Sequence, residues 1–218
     1  MPAPLPSLTP QIFARDLAAA SPEPLSASCV EALYLHYQEL VRWNRTVSLV
    51  GPGTAAEMVP RHYGEALAAL PLVSAAARVG LDLGSGAGFP GIVLAAARPR
   101  LRMTLVEARE RKWAFLAAAA RRAALPCSCL NVRVSLPLPT GIPEALDLVT
   151  ARAIRLDPEV LGALADRLQP GGRMLLWVGE ENPDLPPNLL PERELPLAGS
   201  DRRRILELRP RSHPDGAP

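Results

Sequence analysis

Lysine is nearly missing from this sequence: Lys112 is the single one, so 23 of the 24 basic residues are arginine. Set beside the abundance of alanine, proline and leucine, that bias reflects genome base composition more than function. Arginine still offers planar, bidentate recognition of phosphate wherever it clusters. The formal net charge of +2 is too small to diagnose a nucleic-acid partner. Cysteine is scarce as well. Cys29, Cys127 and Cys129 are too few for a disulfide framework, and a Cys-x-Cys pair has the wrong spacing for an ordinary zinc knuckle. Reduced thiols, no metal site and a cytoplasmic setting are the expectation. No run of about 18 uncharged apolar residues occurs, so no membrane span is expected. The first residues, "MPAPLPSLTP", lack the basic start and continuous apolar stretch of a secretory signal. Also missing are a recognisable catalytic cysteine, a Ser–His pair and a pair of carboxylates.

What is present is material for a core. Of 218 residues, 48% are apolar, enough for one good-sized domain with an appendage. Residues 1–77 read as a helical N-terminal extension. In "TPQIFARDLAAA", Thr9 is placed as an N-cap with Pro10 at the first helical position. Ser28 and Glu31 have capping-box spacing before a helix in which Leu33, Tyr37, Leu40 and Val41 share one face. Thr54 and Glu57 repeat that spacing, and Pro60 starts or kinks the helix that follows.

From Arg78 the pattern changes. Short apolar runs ("RVGLDL", "RMTLVE", a weaker "CLNVRV", "ALDLVTAR" and "GRMLLWV") alternate with the helical stretches "GIVLAAA", "ERKWAFLAAAARRAAL" and "PEVLGALADRL". Strands alternating with helices predict a parallel sheet covered on both faces. "ERELPLA" and "RRRILEL" then predict a closing antiparallel pair. The expected units are the extension (1–77), an α/β domain (78–210) and a loose tail (211–218).

The most informative stretch is "GLDLGSGAGFPGIVLAAA", residues 80–97, at the first strand–helix turn. In an open parallel sheet, ligands bind beyond the carboxyl ends of the strands at the topological switch point. A dinucleotide fingerprint needs Gly-x-Gly-x-x-Gly, but Phe89 stands where the third glycine belongs. The pattern is instead Asp82, Gly84, Gly86 and Gly88, which suits S-adenosylmethionine, a cofactor without phosphate. Asp82 is expected to accept hydrogen bonds from its ammonium group, and bare glycine backbone lets the ligand lie close. Glu107, ending the next strand, is placed for the two ribose hydroxyls. A tight turn that binds nothing is the bland alternative.

From about Trp43 to Gly179 the chain resembles the small-subunit ribosomal RNA guanine-N7 methyltransferase G family, also called glucose-inhibited division protein B. The residues carrying the resemblance are "RWNRTVSL", "RHYGEAL", "LDLGSGAGFPGIVLAAARPRLRMTLVEARERKWAFL" and "DLVTARAI". The resemblance implies a class I methyltransferase fold: a doubly wound, mostly parallel sheet with an antiparallel last strand and an N-terminal helical cap. It also implies that Gly84, Phe89, Val134, Ser135 and Arg152 line the cofactor site. The implied partner is small-subunit ribosomal RNA or the assembling small subunit, and a monomer is expected. Against the family pattern, Ser135 and Val178 replace an acid and a lysine, Glu65 replaces Asp, "SLV" from Ser48 replaces Asn-Leu-Thr, and a basic C-terminal motif is missing. Those departures leave a second reading open: a diverged relative that methylates a small molecule or protein, or a cofactor-binding module.

Guanine N7 carries a lone pair and no proton, so methylating it takes alignment rather than a base, which agrees with the missing catalytic groups. Arg152 and Arg155, after the fourth strand, are candidates to orient the base or a phosphate, with pairing to a core carboxylate as the alternative for Arg152. Arg61 and His62 are candidates for RNA contact, although a lone helical histidine is more often structural. Trp113 and Phe115 read as packing.

Overall fold

The computed structural model of the chain describes residues 4–54, 56–155 and 157–211. The expected tail therefore lies, beyond Arg211, outside the described residues. Thr9 caps α1 (Pro10–Ala20), its hydroxyl accepting the Ile12 N–H at 3.3 Å. The second helix, α2 (Ala27–Trp43), is capped by Ser26, which accepts the Cys29 N–H at 3.2 Å. Ser28 is already helical, so the expected capping box is corrected: the capping hydroxyl belongs to the last extended residue, two positions earlier. Thr54 is no cap either. It ends a tight turn, Pro52–Thr54, and its hydroxyl meets Gly51 O and His62 Nε2. Pro60 sits in the first turn of a wide π-type helical segment, Val59–Gly64, which runs into the single turn α3 (Glu65–Leu67).

The alternating half follows as β1 (Val79–Leu83), α4 (Gly91–Ala97), β2 (Arg102–Val106), α5 (Glu110–Arg122), β3 (Cys127–Leu130), β4 (Leu146–Arg152), α6 (Pro158–Ala165), β5 (Leu168–Val178), β6 (Leu189–Pro196) and β7 (Arg204–Pro210). They form one seven-stranded sheet in the order β3-β2-β1-β4-β5-β7-β6. The pairs from β3 to β5 are parallel, and β7 runs antiparallel to both β5 and β6. Strand order reverses between β1 and β4, which makes the end of β1 the switch point. Asp147 fixes the start of that strand by accepting the N–H groups of Arg78 and Val79 at 2.7 and 2.9 Å. The third strand lies earlier than "CLNVRV" suggested. Asn131 Nδ2 donates to Glu107 O at 2.9 Å, occupying a main-chain carbonyl at the mouth of the sheet as the chain leaves the ladder.

The sheet has an apolar core on each face. On one face α6 packs over β4 and β5, with Leu161 and Leu164 wholly buried. On the other, α4 and α5 are covered in turn by the N-terminal helices, and a single apolar cluster runs from Phe13 and Leu33 to Leu94 and Leu105. Phe13 lies at its outer layer with ring centroids 5.5, 5.2 and 5.2 Å from Tyr34, Tyr37 and Tyr63. Because Phe13 is fully buried, Phe13→Ala is expected to lower the unfolding free energy by about 3–5 kcal/mol. Urea denaturation checks this, and a change under ~1 kcal/mol would mean that α1 is docked only loosely.

Candidate cofactor site

At the end of β1 the chain must turn sharply, and a buried acid organises the turn. Asp82 is completely inaccessible. Its Oδ1 accepts from Thr150 Oγ1 at 2.6 Å and its Oδ2 from the Gly91 N–H at 3.3 Å. Thr150 is its cross-strand partner on β4. Burial pushes Asp82 up to about 6, against the pull of the hydrogen bonds from Thr150, Ser85 and Gly91. A Cβ on Gly91 would lie 2.7 Å from Asp82 Oδ2 and 2.5 Å from Leu105 Cδ2, so only glycine lets α4 approach the sheet this closely.

Between these anchors Gly84, Gly86 and Gly88 all take positive φ, at 64°, 54° and 88°. Gly86 donates its N–H to Glu107 Oε2 at 3.0 Å, while Glu107 Oε1 accepts the Arg109 N–H at 2.8 Å. Gly88 faces inward instead. A Cβ there would meet Ile92 Cδ1 at 2.7 Å and His36 Nε2 at 3.1 Å.

His36 carried no signal beyond its helical position, yet it ties the turn to α2. The ring is wholly buried, with Nε2 3.0 Å from Ala87 O and Nδ1 2.8 Å from Tyr63 Oη. A carbonyl can only accept, so Nε2 carries the proton and Nδ1 accepts from the tyrosine hydroxyl. Burial holds the imidazole neutral, down to about 4. His62 is likewise held down to about 3, first by burial and then by Arg152 and Arg61. Its ring stacks on Phe89 with centroids 5.2 Å apart and planes 29° apart.

The turn opens into a cavity of about 520 Å³ whose wall includes Gly84, Gly86, Phe89, Glu107, Val134 and Arg152, together with His62 and Arg155. Four expected site residues are not on that wall. Asp82 is enclosed, and its carboxylate is committed to the turn rather than to a ligand's ammonium group. Gly88 is packed against Ile92 and His36. Ser135 is exposed past the end of β3, and Arg61 is bonded to Glu65 at 2.8 Å. Sequence reasoning missed Leu49, which Asn44 holds at the cavity: Asn44 Oδ1 accepts the N–H groups of Leu49 and Val50, both at 3.0 Å.

Arg152 makes the pairing with a core carboxylate that was weighed for it, and it also stands on the cavity wall. Its Nη2 pairs with the buried Glu65 at 2.7 Å while also donating to Arg61 O at 3.2 Å. Three guanidinium groups converge on Glu65, from Arg61, Arg152 and Arg203 at 2.8, 2.7 and 2.7 Å. Burial raises the Glu65 carboxyl, with Arg152 and Arg61 pulling the other way. Arg152 Nη1 is buried without a partner among the described residues.

A cavity of this volume is within the usual range of about 300–1,000 Å³ for a small-molecule ligand. The donor set fits S-adenosylmethionine. Each Glu107 oxygen holds one backbone N–H and retains a lone pair for a hydroxyl. A Cβ on Gly86 would project to 3.9 Å from Glu107 Oε2, into the space such a hydroxyl needs. Among the described residues there is no cluster of metal-binding side chains. The strand order, the glycine turn at the switch point and the acid on the neighbouring strand together define a class I methyltransferase that uses S-adenosylmethionine.

The sequence model for rRNA small subunit methyltransferase G, GidB, matches residues 30–184, and the chain belongs to that family. It is 38% identical over 156 residues to the ribosomal RNA small subunit methyltransferase G of Paramagnetospirillum magneticum, spanning 71% of this chain and 73% of the relative. The enzyme of that name from Methylobacterium radiotolerans is 37% identical across 90% of this chain and 87% of its own. Among solved structures, the mitomycin 7-O-methyltransferase MmcR shares the fold with a TM-score of 0.54 at 18% identity, covering 94% of this chain and 74% of that one.

Two outcomes are expected. Gly86→Val should reduce S-adenosylmethionine affinity at least tenfold by calorimetry; unchanged affinity would remove the cavity assignment. The second concerns pH. At pH 5 the unfolded chain carries protons on both His36 and His62 and none on Asp82, while the folded chain carries one on Asp82 and none on either histidine. The unfolded state thus binds one more proton, and these three groups cost about 1.4 kcal/mol of stability for each unit the pH falls there. His36→Gln keeps a donor for Ala87 but cannot titrate, and should remove that slope. Denaturant curves at pH 4.5, 5 and 5.5 test it, and an unaltered slope would mean His36 is not buried neutral.

Proposed function

We propose that this chain transfers the methyl group of S-adenosylmethionine to N7 of a guanine in small-subunit ribosomal RNA, free or in the assembling subunit, as a cytoplasmic monomer. The observation that carries the substrate class is the charge at the cavity mouth. Arg109, Lys112, Arg133 and Arg155 all line it, and none forms an ion pair among the described residues. The single lysine of the chain is one of them. Glu107 is the one carboxylate on that wall, and it is occupied by two backbone N–H groups. Like charges gathered round a mouth repel one another, and a polyanion that neutralises them gains by releasing its counterions. An enclosed apolar pocket would have favoured a small-molecule acceptor; this mouth is open and basic. The reading as a diverged relative is not favoured by relatives matched along most of the chain.

The cofactor, when bound, supplies a methyl group activated by its sulfonium. The chain's own part is to bind and to align. We assign the cofactor to Gly84, Gly86, Phe89, Glu107, Val134 and Arg152, with Asp82 and Gly88 bracing the turn. His62, neutral and stacked on Phe89, excludes water from one wall. Arg152, held from behind by Glu65, keeps its position without a ligand. N7 brings its own lone pair, so no residue has to take a proton, and positioning alone contributes up to about 7–11 kcal/mol.

Single-turnover methylation of purified small subunits, with the product mapped by mass spectrometry, tests this reading. Arg152→Ala should slow the reaction, and the rate should stay flat above pH 7, since Asp82, raised to about 6, and His36 and His62, lowered to about 4 and 3, all titrate below it. A unit slope in that range would mean a general base, and so an oxygen or exocyclic-nitrogen acceptor. Lys112→Gln should reduce the salt dependence of subunit binding by one phosphate contact, about 0.7–0.9 in the log–log slope. An identical slope would leave the basic mouth without a role in RNA binding.

A further inference from the structure

A second cavity, of about 650 Å³, opens beside the first, beyond the carboxyl ends of β4 and β5. The two share Ala153, Ile154 and Arg155 as a common wall. Ile154 is among the few exposed large apolar residues, and it rests on the glycine turn, where a Cβ on Gly84 would lie 2.6 Å from Ile154 Cγ2. The inner wall is apolar, formed by Leu161, Leu176 and Trp177, with Trp177 fixed by its Nε1 donating to Glu65 O at 2.9 Å.

The lining beyond β5 is of opposite character. Glu181 and Asp184 line the cavity there, both are exposed, and neither side chain has a hydrogen bond or ion pair among the described residues. Asn182 between them is different, since its Oδ1 accepts from Arg204. On a molecule whose first cavity is lined by basic residues, two carboxylates without a protein partner beside an apolar slot are placed to accept from a ligand that donates.

Ionised carboxylates only accept hydrogen bonds, so the base edge they recognise must offer donors side by side. Guanine does so with N1–H and its 2-amino group, whereas adenine presents N1 as an acceptor at the same place. Enzymes acting on a base extrude it into such a slot and read its Watson–Crick edge. Guanine N7 lies on the adjoining Hoogsteen edge, on the other ring, so a base held at the acidic wall by N1–H and its 2-amino group keeps N7 free to face the common wall and the cofactor cavity.

We infer that the second cavity is the acceptor-base subsite and that Glu181 and Asp184 are specificity-determining residues that select guanine by its Watson–Crick edge. This rests on the methyl-transfer reading above, and the test separates the two. Protein saturated with S-adenosylhomocysteine is titrated with guanosine, inosine and adenosine 5′-monophosphates. Guanosine monophosphate should bind roughly tenfold more tightly than the adenosine compound, with inosine, which lacks the 2-amino group, between them. The double variant Glu181→Gln/Asp184→Asn, at exposed positions that should not disturb folding, should abolish the preference and cut kcat/KM on small subunits about tenfold. Its S-adenosylhomocysteine affinity should not change. Equal binding of the nucleotides, or wild-type kcat/KM in the variant, overturns the inference even if subunits are methylated. A guanine preference lost in the variant, with no subunit methylation by the wild type, sustains the subsite and overturns the ribosomal reading instead.

Discussion

A carboxylate sealed at the end of the central strand is the constraint on which the rest of this molecule depends. Asp82 is the point where β1, β4 and the start of α4 are bonded together, through Thr150 and the Gly91 N–H. An ionised acid in a dry site is costly unless every lone pair finds a donor. Its two oxygens therefore dictate where the neighbouring strand and the helix must lie. The glycine turn is what remains when those two ends are fixed and the chain between them must cross in eight residues, 83–90. The turn is shaped from behind, and the face it offers to a ligand is backbone.

The N-terminal helices complete that shape. His36 bonds the carbonyl of Ala87 from α2, His62 stacks on Phe89, and Asn44 places Leu49 at the cavity. Glu65 adds the fourth connection, gathering Arg61, Arg152 and Arg203 onto one buried carboxyl while its own carbonyl accepts from Trp177. The bonds from His36, His62 and Glu65 to Ala87, Phe89, Arg152, Arg203 and Trp177 join residues before position 78 to residues after it, while the Asn44–Leu49 bond shapes the extension itself. The apolar cluster crosses the same line without a break. The extension thus supplies part of the cavity wall and the means of holding Arg152 still.

Period and punctuation were enough to read the sheet from the sequence: apolar runs separated by helical stretches, with the Asp–glycine pattern at the first turn. Those are local signals, and they survive because the central parallel strands β1, β2 and β4 are mostly buried and apolar, whereas β3 at the edge is only partly buried and was placed less well. What stayed hidden is relational. The Ser28–Glu31 spacing looked like a cap because sequence spacing does not reveal which residue is the last extended one. Asp82 was expected at the ligand because an acid before glycines matches both a contact and a brace, and only its partners Thr150 and Gly91 tell the two apart. His36 looked like any helical histidine, since its partners are 27 and 51 residues away.

Charge shows the same division between what is local and what is relational. The sequence has many arginines and almost no net charge, so composition could not separate structural cations from functional ones. Pairing does. Arg61, Arg98, Arg122, Arg152 and Arg203 each meet a glutamate across a helix or strand contact, and their charge is largely neutralised within the fold. Arg109, Arg133 and Arg155 are left at the cavity mouth with Lys112. Other arginines without an ion pair among the described residues, such as Arg100 and Arg102, stand elsewhere, but four such cations round one opening repel one another and contribute little to stability, so that cluster is hard to explain by folding. The unpaired acids Glu181 and Asp184 lie across the common wall, at the neighbouring cavity. A ligand that met both would be anionic along its length and hydrogen-donating at one edge, and a guanine within an RNA strand, the acceptor proposed above, has that character.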